Sequence, residues 1–287
     1  MHDQPPLADR IALVTGANSG LGRAVAGALA GRGSTVLMVC RDAARGECAR
    51  HEIMAATGNP LVHLFVADLA SQAAIRGLVA RVCERFDRLH LLVNNAGTAF
   101  PARRLSPDGI EMALAVNYLA PFLLTNLLLE PLRAAAPARI VNVGTRINTA
   151  MDFQDLNWER RPYRLMQGYG QSKLGNLHFT FELARRLAGS GVTVNCCFPG
   201  VFRSNLGGTD GAQGWFWRLV DRLVGWALPT PEQAAKRVLY LATDPAMADV
   251  TGGYYSHRKP IPAPTQAQDQ TANQRLWKIS EALTSPR

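Results

Sequence analysis

The chain has 287 residues, and 31 basic against 22 acidic side chains give it a formal net charge of +9. The basic residues are spread along the chain without a Lys/Arg block, which argues against nucleic acid as a partner. With 47% hydrophobic and 18% charged residues, the composition excludes an intrinsically disordered chain and a coiled coil.

Predicted strands and helices alternate along the chain with short connections. Apolar runs such as Val36–Val39 are continuous, as in parallel strands that are covered on both faces. This alternation predicts an α/β fold with a single Rossmann-type, doubly wound parallel sheet. The predicted strands are Ile11–Thr15, Val36–Cys40, Leu61–Val66, Leu89–Asn94, Arg139–Val143 and Val192–Cys197, and the predicted helices are Leu21–Arg32, Ala43–Thr57, Ser71–Phe86, Ile110–Leu132 and Gly168–Leu187.

Residues 1–287 are predicted to form a single domain. Three segments interrupt the alternation: Thr145–Gln167, Phe202–Leu228 and Lys259–Thr265. Open α/β sheets place their ligands beyond the carboxyl ends of the strands, so the first two segments are expected to shape a substrate pocket. We predict that 202–228 is a helical substrate-covering insertion, or lid, and that 265–287 is a C-terminal helical extension.

The cysteines and apolar segments predict neither a metal site nor a membrane span. The five cysteines lack metal-ligand or CxxC spacing, which favours a reduced, cytoplasmic protein without a metal. The most apolar stretch, Ala120–Leu132, is too short to span a bilayer. Roughly ten residues precede the first strand, too few for a signal peptide. We therefore expect no integral membrane segment.

A glycine-rich turn follows the first predicted strand. Gly16 allows a tight turn, Gly20 lets the main chain approach a pyrophosphate, and Gly22 lets the next helix pack closely. The N-terminus of that helix offers amide donors to an anion. Ordinary loops share this composition, but the position after an opening strand favours a dinucleotide site.

Arg41 follows the second predicted strand, where an acidic residue would bind the ribose 2′-hydroxyl of NAD. A guanidinium instead suits the 2′-phosphate of NADP(H), both by its charge and by its fork of donors. A solvated surface arginine is the alternative, and the neighbouring Asp42 weakens the argument. The sequence favours NADP(H).

Tyr169 and Lys173 lie four residues apart near the start of a predicted helix, which places phenol and ammonium on one face. A phenol with a pKa of about 10 is a poor acid–base group at neutral pH, and a nearby cation lowers that pKa. Such pairs also occur by chance on helix surfaces. Because the chain has only four lysines, a functional pair is favoured here.

A set of motifs lies along the chain at Thr15–Gly22, Asp68–Leu69, Asn94–Gly97, Asn117, Tyr169–Lys173 and Pro199–Gly200. In the order and approximate spacing of these motifs the chain closely resembles the short-chain dehydrogenase/reductase family. Within the family it is most similar to the retinol-dehydrogenase-like branch, on the segments Val39–Asp42, Val116–Phe122, Gln171–Asn176 and Leu276–Ser280. Many members of that branch have an N-terminal membrane anchor, which we do not expect here.

The resemblance implies a role for each motif residue. Tyr169 would be the general acid in carbonyl reduction or the base in alcohol oxidation. Lys173 would hold the nicotinamide ribose and lower the pKa of Tyr169. Asn117 would bend its helix around a water that relays protons to Lys173.

The resemblance also implies a cofactor-binding set. Asp68 would contact the adenine and Asn94–Gly97 the adenosine side, although Asn94 is equally interpreted as a structural residue that pins the central strands. The full predicted set is Gly16, Asn18, Ser19, Gly20, Leu21, Gly22, Arg41, Asp68, Leu69, Asn95, Ala96, Gly97, Tyr169, Lys173, Pro199, Gly200 and Val201.

Thr145 is a departure from the family pattern. Relatives read Val-Ser-Ser after the fifth strand, whereas this chain reads Val143-Gly-Thr145. Threonine can still donate a hydrogen bond to a substrate oxygen, but its methyl group stiffens χ1 and narrows the pocket. Ordinary activity and altered chemistry, such as C=C or C=N reduction, are both compatible with this change.

The predicted lid contains a Trp-rich helical stripe. Its apolar face would hold residues 215, 216, 219, 220, 223 and 226, after a glycine-rich entry at Gly207–Gly214. A lid of this kind favours a lipophilic substrate from which water is excluded. Core packing, a subunit contact and peripheral membrane association are alternative interpretations.

The sequence as a whole predicts an NADPH-dependent reductase of a lipophilic ketone or aldehyde, or the reverse alcohol dehydrogenase. Two alternatives remain: a C=C or C=N reductase of a specialised metabolite, and a non-catalytic NADP(H)-binding sensor or scaffold. A homo-oligomer is an expectation from the family alone. The substrate itself is not identified by the sequence.

Overall fold

A computed structural model describes residues 6–146, 149–202 and 228–286. In these ranges eight strands form one sheet in the order β3-β2-β1-β4-β5-β6-β7-β8. The strands are β1 Ile11–Thr15, β2 Thr35–Cys40, β3 Val62–Val66, β4 Leu91–Asn94, β5 Ala138–Val143, β6 Val192–Phe198, β7 Gly253–Ser256 and β8 Lys259–Pro260. All neighbours pair in parallel except β7 and β8, so the predicted Rossmann-type parallel sheet is confirmed.

Helices cover both faces of the sheet. They are α1 Gly20–Ala30, α2 Ala43–Thr57, α3 Gln72–Cys83, α4 Met112–Leu114, α5 Ala120–Leu127, α6 Leu129–Ala134, α7 Leu165–Arg186, α8 Pro231–Thr243, α9 Thr265–Gln268 and α10 Gln270–Thr284, with a π-helical turn at Ala115–Leu119 and a 3-10 helix at Pro245–Met247. Alternate residues of each strand contribute their side chains to two apolar layers, one on each face of the sheet. Leu13 and Leu37 pack with α3, α5, α7 and α10, whereas Val14 and Met38 pack with α1, α2 and α8.

Local chemistry sets the helix boundaries near the site. The Asp42 carboxylate accepts a hydrogen bond from the Arg45 amide (2.9 Å) and so begins α2. Gly58, with φ +68°, ends the same helix. Thr230 and Gln233 form a capping box at the start of α8. Each capping group satisfies amide or carbonyl groups that the helix itself leaves free.

The predicted continuous helix at Ile110–Leu132 is wrong in detail, because the structure divides it into α4, the π-helical turn, α5 and α6. Fully buried Glu111 accepts the amides of Ala113 (2.9 Å) and Leu114 (2.8 Å), which fixes the beginning. The break between α5 and α6 follows from Pro131, which has no N–H for the Leu127 carbonyl. The π-helical turn places Asn117 at its centre.

Two of the three predicted irregular segments, 202–228 and Lys259–Thr265, can be compared with the structure only in part or differ from it. Residues 203–227, with most of the predicted lid and its Trp-rich stripe, lie outside the described residues. The predicted irregular segment Lys259–Thr265 begins with the short antiparallel edge strand β8.

In the described ranges no helix has the length and apolarity needed to cross a membrane. The same ranges contain no cluster of His, Cys, Asp and Glu suited to a metal ion.

Candidate active site

The carboxyl ends of the strands meet along one edge of the sheet, and the predicted site residues lie there. From the middle of the sheet the strand order proceeds from β1 to β3 on one side and from β4 to β7 on the other. The order therefore reverses between β1 and β4, and a crevice opens there. The glycine-rich turn follows β1, Arg41 follows β2, Asp68 follows β3 and Thr145 follows β5. The fold therefore collects residues that are far apart in the sequence.

The glycine-rich turn packs tightly against the neighbouring strand. The Gly16 amide donates to the Val39 carbonyl (2.8 Å), and Gly16 itself has φ +66°. A side chain on Gly22 would collide with the Gly16 carbonyl oxygen, which explains the close packing of α1 on the turn. Ser19 precedes α1 and its hydroxyl does not cap the helix. The first amides of α1 can thus serve an anion.

Asn95 and Ala96 brace this turn. The Asn95 side-chain amide donates to the Thr15 carbonyl (2.8 Å), and the amides of Asn95 and Ala96 both donate to the Thr15 hydroxyl (2.9 and 3.0 Å). The predicted adenosine-side residues after β4 therefore shape the turn directly.

Asn94 makes the contacts of a residue that pins the central strands, which is the structural one of its two interpretations. It is buried, and its side-chain amide donates to Thr125 Oγ1 (3.0 Å) and to Asn142 Oδ1 (2.9 Å). Asn142 in turn donates to Thr180 Oγ1 (2.9 Å) on α7. These hydrogen bonds join β4, β5 and the flanking helices beneath the site.

Arg41 and Asp42 have different surroundings although they are neighbours. The Asp42 carboxylate is directed to the first turn of α2, where it caps the Arg45 amide. Arg41 is exposed and makes no hydrogen bond or ion pair with the part of the chain that the structure describes. Asp68 is half-buried and accepts from the Ala70 amide (3.0 Å), while Leu69 packs on the core. Arg41 therefore presents an exposed guanidinium at this corner.

The side chains of Tyr169 and Thr145 approach each other across the end of β5 and the start of α7. Burial raises the pKa of Tyr169 to about 12, and the interaction with the Thr145 hydroxyl opposes that shift. The phenol is therefore protonated at neutral pH. The two residues present adjacent hydroxyl groups to whatever binds at this edge.

Lys173, one helical turn after Tyr169 on α7, is buried. Its ammonium donates to the Val143 carbonyl (2.9 Å), and burial lowers the pKa of Lys173 to about 8. A Cβ atom built on Gly97 would lie 3.4 Å from Lys173 Nζ and 3.5 Å from Asn117 Oδ1. Gly97, Asn117 and Lys173 thus meet at one point.

The Asn117 side chain connects three parts of the site. Its Oδ1 accepts from the Thr98 amide (2.7 Å), and its Nδ2 donates to the Thr98 carbonyl (2.8 Å) and to Ser172 Oγ (2.9 Å). The π-helical turn is therefore tied to the segment after β4 and to α7 next to Lys173.

The pKa of Tyr169 departs from what the family resemblance implies. The cation of Lys173 was expected to lower it, whereas burial raises it and the ammonium of Lys173 is directed to the Val143 carbonyl. Desolvation of the phenol outweighs any effect of that cation.

Pro199, Gly200 and Val201 follow β6 and complete the edge. Gly200 has φ +85°, and Arg237 of α8 donates to the Pro199 carbonyl. Val201 is 70% exposed, as a residue free to contact a ligand would be. Arg237 had no signal in the sequence, because its contact depends on how α8 packs against β6.

Comparisons with known proteins agree with this arrangement. A family model for short chain dehydrogenases matches residues 10–213, which include the glycine-rich turn and the Tyr169–Lys173 pair. Retinol dehydrogenase 13 of Homo sapiens is 42% identical over 284 residues, covering 94% of this chain and 83% of that protein.

Solved structures resemble the chain over most of its length. A crystal structure of an uncharacterized protein from Mycobacterium paratuberculosis has 32% identity and a TM-score of 0.79, and the match covers 98% of this chain and 96% of that one. The RhlG/NADP active-site complex of Pseudomonas aeruginosa has 30% identity and a TM-score of 0.69, and the match covers 90% of this chain and 98% of that one.

Proposed function

Because the chain belongs to the short-chain dehydrogenase/reductase family, we propose that it is an NADP(H)-dependent oxidoreductase for lipophilic ketones and aldehydes and for the corresponding alcohols. One observation carries the proposal. The neighbouring Tyr169 and Thr145 hydroxyls lie at the carboxyl edge of the sheet, and the buried Lys173, one helical turn after Tyr169 on α7, donates to the carbonyl of Val143 at the end of β5.

The residues at the switch point fit a dinucleotide. The main chain of the glycine-rich turn forms a cradle, because Gly16 and Gly20 have positive φ and Gly22 has no side chain. Nothing lies within 4 Å of a Cβ built on Gly20, so the space beside it is open. The amides at the start of α1 would receive the pyrophosphate. Asp68 and Leu69 would border the adenine, and Gly97 with Lys173 the nicotinamide ribose.

The preference for NADP(H) rests on Arg41 and Asp42. An acidic side chain at this corner would bind the ribose 2′-hydroxyl of NAD, but the Asp42 carboxylate is engaged in capping α2. Arg41 is exposed beside the glycine-rich turn, and its guanidinium can pair with a phosphate dianion. The NADP complex of the similar Pseudomonas aeruginosa protein supports this assignment.

The mechanism follows from the protonation states of the hydroxyl groups. The carbonyl carbon would receive the hydride that NADPH supplies when it is bound. Tyr169, protonated at neutral pH, donates its proton to the carbonyl oxygen, and Thr145 donates a hydrogen bond that orients the same oxygen. The C=O bond thereby becomes CH–OH. In the reverse direction the Tyr169 phenolate accepts the proton of the alcohol.

The proposed substrate is lipophilic and fairly bulky. The similarity to retinol dehydrogenase 13 makes retinoids the first compounds to test. Retinaldehyde with NADPH and retinol with NADP⁺ are therefore the probes of choice, followed by a panel of lipophilic aldehydes and ketones.

Tyr169→Phe tests the proposal. The variant keeps the ring and loses the proton donor, so turnover should fall by about 10²- to 10⁴-fold while NADPH still binds. Turnover is measured as NADPH consumption, and binding as the change in nicotinamide fluorescence.

Tyr163→Phe is a matched control on the same segment, because the Tyr163 phenol bonds to Glu111 and not to Thr145. It should retain most of the activity. Turnover by Tyr169→Phe at the wild-type rate would disprove the assignment. Binding of NADPH by the wild type without oxidation by any compound would instead indicate a non-catalytic sensor.

A further inference from the structure

Strand β7 reaches the active site through Tyr254. This residue is 4% exposed, and its hydroxyl donates a hydrogen bond to the main-chain carbonyl oxygen of Thr145 (3.0 Å). Burial raises the pKa of the phenol, which therefore stays protonated and able to donate. The main chain of Thr145 is thus held by a residue of the apolar layer that also contains Leu174 and Leu177 of α7, the helix that carries Tyr169.

The residue before Thr145 is held by packing. The Gly144 amide donates to the Cys197 carbonyl (2.8 Å), which extends the pairing of β5 with β6. A Cβ atom on Gly144 would lie 2.5 Å from the Sγ of Cys196, and 3.9 Å from the Tyr254 ring. The buried Cys196 side chain fills the space that a larger residue at position 144 would need.

Successive main-chain groups at this strand end therefore each have a fixed partner. Lys173 binds the Val143 carbonyl, Cys197 binds the Gly144 amide, and Tyr254 binds the Thr145 carbonyl. Fixed hydrogen-bond donors stabilise a transition state best when they do not have to reorganise. The hydroxyl that the mechanism requires is therefore attached to a rigid main chain.

We propose that Tyr254 is a positioning residue for the reductase reaction, and that it acts through Thr145 with the support of the Gly144–Cys196 contact. This proposal rests on the proposed function. Among the described residues the Tyr254 hydroxyl bonds to the main chain of Thr145 and not to the glycine-rich turn. Its loss should therefore lower the rate of the chemical step and leave cofactor affinity unchanged.

The first test is Tyr254→Phe, which keeps the ring and removes the hydroxyl. We expect kcat with the best substrate of the retinoid, aldehyde and ketone panel to fall about tenfold, as for the loss of one hydrogen bond. The Kd for NADPH should stay unchanged. The matched control is Tyr255→Phe, because Tyr255 is the next residue of β7 and packs in the opposite apolar layer.

A double-mutant cycle separates positioning from general stability. In a Thr145→Ala background there is no hydroxyl to orient, so adding Tyr254→Phe should cause little further loss of kcat. A purely structural role would give the same tenfold loss in both backgrounds and would overturn the proposal. An effect of Tyr254→Phe no larger than that of Tyr255→Phe would also overturn it.

The second test uses the Gly144–Cys196 contact. Gly144→Ala should lower kcat and the midpoint of thermal unfolding, because the new methyl group meets the sulfur. Cys196→Ala added to that variant should restore both. If the single variant has too little folded protein for kinetics, the higher unfolding midpoint of the double variant remains the expected result. No recovery in the double variant would refute the contact as the cause.

These tests are distinct from the test of the proposed function. If Tyr169→Phe loses turnover but Tyr254→Phe behaves like Tyr255→Phe, only the positioning role fails. If Tyr169→Phe keeps full turnover, or if no panel compound is reduced, the proposed function fails and the role of Tyr254 fails with it.

Discussion

Lys173 combines a buried position with a hydrogen bond to a main-chain carbonyl, and the cost of desolvation lowers its pKa to about 8. The side chain is therefore charged at neutral pH and loses its proton in mildly alkaline solution. At neutral pH the proposed site therefore contains a positive charge on Lys173.

Carbonyl reduction should accordingly fall as the pH rises through about 8. Lys173 carries its proton below that pH and loses it above, and the neutral amine no longer provides the cation one helical turn from Tyr169. The measurement is kcat for NADPH oxidation between pH 6 and pH 10. Lys173→Arg keeps its charge over this range, so an unchanged alkaline limb in that variant would contradict the assignment.

Arg41 should determine the choice between NADP(H) and NAD(H). Arg41→Ala removes the guanidinium proposed to meet the 2′-phosphate, which should raise the KM for NADPH by about 10- to 100-fold and leave that for NADH nearly unchanged. Arg88→Ala is the matched control, because Arg88 is exposed before β4 at the opposite end of the strands. Equal losses with both cofactors would argue against a phosphate contact.

At the residue scale, the sequence allowed motifs that lie next to strand ends to be placed at the site, and the roles of their residues stay predictions. The glycine-rich turn, Arg41, Thr145 and Tyr169 all reach one edge because parallel strands align their carboxyl ends. Tyr254 was not predicted, because its contact spans 109 residues and depends on the pairing of β6 with β7. A short strand that contains two neighbouring tyrosines gives no sign of which one faces the site.

At the scale of elements, α10 is part of the layer that supports α7. Trp277 packs edge-on against Phe122 (4.9 Å between centroids) and stacks on Phe179 (5.9 Å), and Arg186 lies over its ring at 4.1 Å. Tyr118, next to Asn117 in the π-helical turn, hydrogen-bonds Ser280 (2.6 Å). The C-terminal helix is thus connected to the elements that carry the site.

Trp277→Ala should lower the free energy of unfolding by about 3–5 kcal/mol, because it leaves a cavity among aromatic rings. Lys278→Ala, at the exposed next position, should change it by less than about 0.5 kcal/mol. Both values are measured by urea unfolding at neutral pH. Similar losses in the two variants would mean that α10 does not contribute to the core.

The boundaries of elements were predicted less well than their existence. The apolar pattern of Ile110–Leu132 continues through the π-helical turn and through the break before α6, so periodicity alone could not locate either. The first depends on the buried contacts of Glu111 and Asn117, and the second on Pro131. Helix α2, whose cap and terminal glycine are both local, was predicted with its observed bounds.

At the scale of the whole molecule, a buried histidine links stability to pH. His178 on α7 is hydrogen-bonded to Asn273 on α10, and its Nε2 is buried without a partner among the described residues. Burial lowers the pKa of His178 to about 4, although the hydrogen bond with Asn273 and the charge of Asp269 both oppose the shift. The folded protein therefore holds a neutral imidazole at pH values where the unfolded chain binds a proton.

The free energy of unfolding should decrease as the pH falls from about 6.5 to about 4. The unfolded chain takes up the proton first, so the contribution of His178 is complete above about 6.5 and is lost progressively below it, by on the order of 3 kcal/mol. Urea unfolding at pH 7.5 and pH 5 measures the change. In His178→Gln this part of the pH dependence should disappear, and an identical slope in both proteins would disprove it.

The capping role of Asp42 has a consequence for protein engineering. The cap holds the Asp42 carboxylate against the first turn of α2, so removing Arg41 alone adds no group at this corner that recognises NAD(H). A conversion to NAD(H) would require a second carboxylate at position 41, placed beside one that the helix already uses. The two like charges would repel each other, and the cofactor preference of this chain is in that sense coupled to the way its second helix begins.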